Sequence, residues 1–231
     1  MLKPMFSTVA ETYDLCNKVL SLGLDKRWRN ACAKQPNNGP LIVDLCCGTG
    51  DLTFNLLKNL QQNSFLLSID FSREMLSKAL AKKSKNQYAT KDNFAFVIAD
   101  AAHLPLKHDS ADTIKISMAF RNLIYKNPNA HAYLKEIYRT LKQNGKFATI
   151  ETSQPKNRLV RRFFRFHCLR IVPLVGGWVS GQKPAYQYLG KSAANFPVPK
   201  DVLSMLKETG FTETSFKPLS FGIVGLYMAT K

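Results

Sequence analysis

The chain has 231 residues, 45% of them hydrophobic, and a formal net charge of +17. That length suits one α/β domain with modest additions and a sizeable core. The charge implies an anionic surface as partner, either nucleic acid or acidic lipid headgroups, and does not choose between them.

Residues 1–21 lack the basic start and continuous apolar run of a signal peptide. The longest uncharged apolar stretch, 171–182, is broken by Pro173, Gly176 and Gly177 and falls short of the ~20 residues of a membrane helix. A cytoplasmic protein is expected. The five cysteines (Cys16, Cys32, Cys46, Cys47 and Cys168) are an odd number with no metal-ligand spacing, so reduced thiols and no metal site are expected.

Phe6, Val9, Tyr13 and Leu20 share a helical face, so residues 6–30 read as one or two helices of an arm that covers the active site. Leu41-Ile42-Val43-Asp44-Leu45 then reads as a buried strand. It runs into the turn Cys46-Cys47-Gly48-Thr49-Gly50 and a helix over 51–60. Such a strand, turn and helix leave free N–H groups at the helix start, suited to an anionic or nucleotide-like ligand. About 20 residues on, a strand over 65–69 ends in Asp70, placed to accept both hydroxyls of a ribose. Thr53 stands where a dinucleotide fingerprint needs a third small residue, and no Gly-Lys-Ser/Thr follows for a nucleoside triphosphate. S-adenosylmethionine needs neither, since its only anion is one carboxylate.

Further strands are predicted over 94–98, 112–117 and 146–151. Between the last two lies a helical pattern of Ala130, Leu134, Ile137 and Leu141, ended by Asn144-Gly145. This alternation gives a doubly wound, mainly parallel sheet. Residues 155–199 interrupt it. At roughly 100° per residue, Arg158, Arg161, Arg162 and Arg165 cluster on one side, with Leu159, Val160, Phe163, Phe164, Phe166, His167 and Ile171 on the other. That basic amphipathic pattern suits a lipid interface, or equally a helix packed on its own domain with solvated arginines. His167 reads as a packed residue. Val202, Met205 and Leu206 mark a final helix, followed by strands over 211–217 and 221–230 joined at Pro218-Leu219-Ser220.

Taken together, these motifs resemble the ubiquinone/menaquinone biosynthesis C-methyltransferases from Phe6 to the C-terminus. The resemblance rests on Tyr13-Asp14-Leu15-Cys16-Asn17 continuing through Ser21 and Gly23 to Trp28, on the segment Asp44 to Asp51, and on Asp70. Phe120-Arg121-Asn122, Arg139-Thr140-Leu141-Lys142 and Glu151-Thr152-Ser153 extend it. Tyr186-Gln187-Tyr188-Leu189 and Phe196-Pro197 complete it. Asp25 stands where the family usually has histidine, Lys142-Gln143-Asn144-Gly145 replaces Lys-Pro-Gly-Gly, and Met118-Ala119-Phe120 replaces the usual Phe-Gly approach to Arg-Asn.

The resemblance implies an α/β fold: a doubly wound, mainly parallel seven-stranded sheet of the S-adenosylmethionine-dependent methyltransferase type. One domain would span 1–231, with a helical arm (1–35), a nucleotide-binding core (40–154), a substrate- and membrane-facing insertion (155–199) and a final helix and antiparallel hairpin (200–231). It implies C-methylation of a polyprenylated quinol, menaquinone or ubiquinone precursor, with S-adenosylmethionine as cofactor. Cofactor contacts are expected at Gly48, Thr49, Gly50, Asp70, Asp100, Ala101 and Ser117. Arg121 and Tyr188 are the catalytic candidates: Arg121 stabilising a phenolate or held in an internal salt bridge, and Tyr188, like Tyr186, bonding the quinol oxygens or walling the pocket. Expected partners are the lipid quinol and, peripherally, an anionic membrane surface through the four arginines, with no nucleic acid; a homodimer is left open. Two rivals are an RNA methyltransferase and a non-catalytic cofactor-binding subunit. After the fourth strand this chain has Ser117-Met118-Ala119-Phe120 rather than the Asn/Asp-Pro-Pro-aromatic run of base-amine methylation.

Overall fold

The computed structural model describes residues 2–37, 39–84 and 93–231. Its sheet is built from β1 (Leu41–Leu45), β2 (Phe65–Asp70), β3 (Phe94–Ile98), β4 (Ala111–Ser117), β5 (Leu141–Thr152), β6 (Thr212–Leu219) and β7 (Val224–Thr230). The spatial order is β3-β2-β1-β4-β5-β7-β6. The first five strands run parallel, while β7 is antiparallel to β5 and β6 to β7. Chain order reverses at β1, which pairs with both β2 and β4. In such sheets the crevice beyond the carboxyl ends at the reversal is where ligands bind.

Apolar runs explain the buried strands: Ile42, Val43, Leu45, Ile69, Ile114 and Ile116 are almost fully buried. One face packs under α7 (Ala130–Thr140) and α11 (Pro199–Thr209), through Leu134, Ile137, Val202 and Leu206. The other face packs under α3 (Asp25–Ala33) and α4 (Asp51–Leu57), through Cys32, Leu52, Leu56 and Leu57. Lys115, fully buried on β4, donates to the carbonyls of Ala33 and Gln35 at 3.2 and 2.7 Å, so it closes the C-terminus of α3. Burial pushes its ammonium down to about 8.

Several boundaries differ from the sequence reading. The arm holds three helices, α1 (Leu2–Val9), α2 (Tyr13–Leu20) and α3, rather than one or two. Phe6, Val9, Tyr13 and Leu20 nevertheless meet in one apolar cluster with Met75, Val172 and Tyr186, joining arm to insertion. Helix α7 stops at Thr140 because Leu141 already pairs with Ala111; Asn144-Gly145 lies in a bulge before Lys146 resumes pairing opposite Thr113. The final hairpin turns through a 3₁₀ segment at Ser220–Gly222, with Pro218 and Leu219 still in β6.

The insertion is α8 (Arg158–Phe166), a π turn (His167–Ile171), α9 (Val172–Ser180) and α10 (Lys183–Ala194). The two sides of the predicted amphipathic helix are not those observed. Arg161 Nε donates to the Pro155 carbonyl at 2.7 Å and Arg165 Nη1 to the Ala194 carbonyl at 2.7 Å, so both turn toward the protein. Phe164 and Cys168 are buried, whereas Leu159, Phe163 and Phe166 stand exposed. His167 is partly buried, and desolvation lowers its pKa against an opposing hydrogen bond to Leu20. Where α10 crosses the π turn, Gly190 is required: a Cβ there would lie 1.9 Å from the Cys168 carbonyl oxygen.

Candidate active site

A cavity of about 850 Å³ opens at the carboxyl ends of β1, β2 and β4. Its floor is the turn between β1 and α4. Cys46 leaves β1 at φ 57°, and Gly48 and Gly50 follow at φ 55° and 82°. The left-handed conformation suits the glycines, whereas at Cys46 it is a local strain of the kind found beside binding sites. A Cβ on Gly50 would also press against the Phe54 ring at 2.9 Å. Cys46 and Cys47 line this floor as free thiols, and burial raises both pKa values well above the ordinary range.

Asp70 ends β2 as expected and does more than wait for a ligand. Its Oδ2 accepts from the Gly48 N–H at 2.8 Å and its Oδ1 from the Ser72 N–H at 2.9 Å. Burial raises its pKa, and those two N–H groups pull the other way. Each carboxylate oxygen keeps a lone pair for a further donor. Asp100, Ala101 and Ser117 line the same cavity, beyond β3 and at the end of β4. Asp100 Oδ1 accepts from the Ala102 N–H at 2.9 Å.

Thr49 also lines the cavity, but its hydroxyl is engaged: it donates to Asp14 Oδ1 at 2.6 Å and accepts from Lys82 Nζ at 3.0 Å. Gly50 shapes the turn and does not reach the wall. Lys82, on α5 (Arg73–Lys83), further bridges Asp14 and Asp51, each at 2.6 Å. Arg29 of α3 pairs with Asp25 and with Asp51 at 3.4 Å. Charged groups from the arm thus bind both sides of the glycine turn. Phe6 adds an edge-on contact with Phe71 at 6.2 Å.

The catalytic candidates separate. Tyr188, on α10, faces the cavity with Asn122, Tyr125, Tyr133 and Lys191. Burial raises its pKa, so it is a neutral phenol near pH 7, while the nearby Arg121 acts in the opposite sense. Arg121 is not on the cavity wall. Only 3% exposed, it gives Nη1 to Glu151 Oε1 at 2.9 Å and Thr152 Oγ1 at 3.1 Å, and its backbone N–H to Glu151 Oε2 at 2.9 Å. The internal ion pair is therefore the arrangement present. Tyr186 packs into the arm cluster, away from the cavity.

Two residues were not picked out from the sequence. Asp44, fully buried on β1, accepts from Thr53 Oγ1 at 2.6 Å through Oδ2 and has no protein partner for Oδ1. Burial pushes its carboxyl up to about 7. Its signal was an acid within an otherwise apolar strand. Tyr13, read from the sequence as a helix-face and motif residue without a site role, lines the cavity from the arm, and burial raises its pKa.

Asp44 Oδ1 and Ser117 Oγ are buried, unpartnered and both in residues lining this cavity. An acceptor and a hydroxyl left open there fit a ligand that brings its own donors and positive charge. Among the described residues no cluster of histidine, cysteine or acidic side chains could hold a metal.

Residues 1–231 match the model of the ubiE/COQ5 methyltransferase family. The ubiquinone/menaquinone biosynthesis C-methyltransferase UbiE of Rickettsia prowazekii (strain Madrid E) is 37% identical over 235 residues, covering 100% of this chain and 92% of the relative. That of Rickettsia felis has the same identity and coverage. A S-adenosylmethionine-dependent methyltransferase from Thermotoga maritima superposes with a TM-score of 0.66 at 17% identity, covering 100% of both chains. One from Aquifex aeolicus gives 0.56 at 16% identity, covering 84% of this chain and 83% of that one.

Proposed function

The chain belongs to the ubiE/COQ5 methyltransferase family, and from that membership we propose that it methylates a ring carbon of a polyprenylated quinol in menaquinone or ubiquinone biosynthesis. Its cofactor is S-adenosylmethionine, which when bound supplies an electrophilic methyl group on a sulfonium centre. The observation that carries the proposal is the shared cavity: Asp70 and the Gly48 turn line one part of it, and Tyr188, Asn122 and Tyr133 line another.

Asp70 holds the ribose with its remaining lone pairs while its other contacts fix the turn. Asp44 Oδ1 and Ser117 Oγ offer the cofactor an acceptor and a hydroxyl, and Asp100 and Ala101 flank the adenine. The N–H groups of Gly48 and Gly50 are already given to Asp70 and to the Cys47 carbonyl, and the Thr49 hydroxyl is engaged, so the glycines serve by shaping the turn and Thr49 by its place on the cavity wall. Tyr188, as a neutral phenol, donates to the quinol oxygen on which negative charge gathers during transfer. Arg121 acts from behind, its positive charge favouring negative charge near Tyr188, while Glu151 holds it in place and partly offsets it. The apolar cluster of arm and insertion keeps water from the cavity.

A lipid quinol stays in the bilayer, so peripheral contact with a membrane belongs to the same proposal. Among the described residues no helix is long and apolar enough to cross one. The test is incubation of the purified chain with S-adenosylmethionine and short-tailed demethylated naphthoquinol or benzoquinol, read by mass spectrometry. A gain of one ring methyl is expected. Cofactor binding with neither quinol methylated would overturn the enzyme and favour a non-catalytic cofactor-binding subunit.

A further inference from the structure

The face of the insertion turned to solvent carries large apolar side chains along its length. Leu159, Phe163 and Phe166 of α8 are 68%, 73% and 58% exposed, and Leu174 and Trp178 of α9 are 67% and 87% exposed. These residues are spaced to form one stripe, with Arg170 completing it between Phe166 and Leu174. At about 100° per residue, Leu159 and Trp178 would lie roughly 100° apart in a uniform helix. The wider π turn between them advances less per residue and takes up most of that lag. Its extra backbone room thus brings the two halves of the stripe onto one side.

The arm extends this surface. Leu15, Val19 and Leu22 at the outer side and end of α2 are exposed. The end of α2 adjoins the π turn, where His167 bonds to Leu20. Leu22 is held outward at φ 52°, a conformation that favours glycine or asparagine. The same segments carry exposed cations: Arg158, Arg162 and Arg170 on the insertion and Lys18 on α2, with Lys26 and Arg27 at the start of α3. An apolar face this large is uncommon on a protein that keeps to water. Aromatic anchors on segments that also carry cations, on a chain of net charge +17, complement an anionic lipid surface.

We propose that the joint surface of α2, α8, the π turn and α9 is a membrane-docking face. Phe163 and Trp178 enter the headgroup boundary of an anionic bilayer, and Arg158, Arg162 and Arg170 meet its phosphates. This rests on the lipid-quinol reading and gives it a direction. On the far side of α9 packs α10, whose Tyr188, Lys191 and Ser192 line the cavity. The pair of helices α9 and α10 therefore stands between the docking face and the cavity. The docking residues differ from the four arginines read from sequence, since Arg161 and Arg165 are spent on backbone carbonyls.

The experiment is vesicle co-sedimentation of the full chain, using phosphatidylcholine vesicles with and without phosphatidylglycerol across a salt series. Binding to the anionic vesicles with a blue-shifted tryptophan emission is expected. The Phe163→Ser/Trp178→Ser variant should bind roughly tenfold more weakly. Its turnover of a water-soluble short-tailed quinol should be unchanged, while methylation of a vesicle-embedded quinol falls. Replacing Arg158, Arg162 and Arg170 by Gln should weaken the preference for anionic lipid and flatten its salt dependence. Vesicle binding is read without turnover, so its failure is distinct from failure of the methylation reading. Equal binding by wild type and the Phe163/Trp178 variant would overturn the proposal. So would a dimer in sedimentation velocity that the variant abolishes without any vesicle binding, which would make the face an interface between copies.

Discussion

The Gly48 N–H donates to Asp70 Oδ2 at 2.8 Å, so the residue expected to hold the ribose also holds the glycine turn. Asp70→Ala should therefore act twice, removing a ligand acceptor and freeing the floor of the cavity. Loss of a charged hydrogen-bond partner sets the scale at about 2–3 kcal/mol of S-adenosylmethionine affinity, measurable by calorimetry. Asp70→Asn should be nearly as damaging. Both carboxylate oxygens already accept backbone N–H groups, and an amide must turn its NH₂ against Gly48 or Ser72. An asparagine variant with wild-type affinity would remove Asp70 from the ribose site.

Arg121 and Glu151 form an ion pair with side chains 4% and 0% exposed. Removing one partner of such a pair strands a buried charge and typically costs about 3–5 kcal/mol. Arg121→Ala should lower thermal stability on that scale, and the double variant Arg121→Met/Glu151→Gln, whose amide oxygen still accepts a backbone N–H, should recover part of it. Methyl transfer per folded molecule then separates the roles. If the double variant is stable and slow, the Arg121 charge acts on the reaction through Tyr188; if stable and fully active, the pair is scaffold.

The glycine turn and Asp70 were legible in the sequence because they are local: an apolar strand, a turn needing positive φ, and a second strand ending in an acid. Tyr188 was legible only through family likeness, since its place depends on α10 folding back over the crevice. The partner of Arg121 was hidden because Glu151 is 30 residues away at the end of another strand. The facing of α8 was misjudged for two physical reasons. Arginines on the predicted solvent side bury their stems and donate to the Pro155 and Ala194 carbonyls. The π turn, invisible to a uniform projection, then sets where α9 points.

Asp44 makes the cofactor-free protein sensitive to pH. An unfolded aspartate titrates near 3.9, whereas burial raises Asp44 in the folded chain to about 7. The folded chain therefore keeps a proton that the unfolded chain releases across this window, and Asp44's contribution to stability falls as pH rises from about 4 to 7. Asp44→Asn mimics the protonated form and should remove this component. Thermal melts from pH 4.5 to 8 should show the variant gaining on the wild type as pH rises; parallel curves would contradict the assignment.

Lys82 ties the arm to the cofactor turn, and its removal tests whether the arm gates the site. Its Nζ bridges Asp14 of α2 and Asp51 of α4, and reaches Thr49 Oγ1. These groups are about one-third exposed, so each pair contributes at most about 1 kcal/mol and weakens with salt. Lys82→Met should therefore leave the fold intact, since its stem still packs, while freeing Asp14 and the Thr49 hydroxyl. S-adenosylmethionine should then bind and leave faster in stopped-flow measurements, and amides of α2 should exchange sooner. High salt should bring the wild type toward the variant's rates without changing the variant. If cofactor release is the same in both proteins at low salt, the arm is fixed by its apolar cluster and the ion network is not a latch.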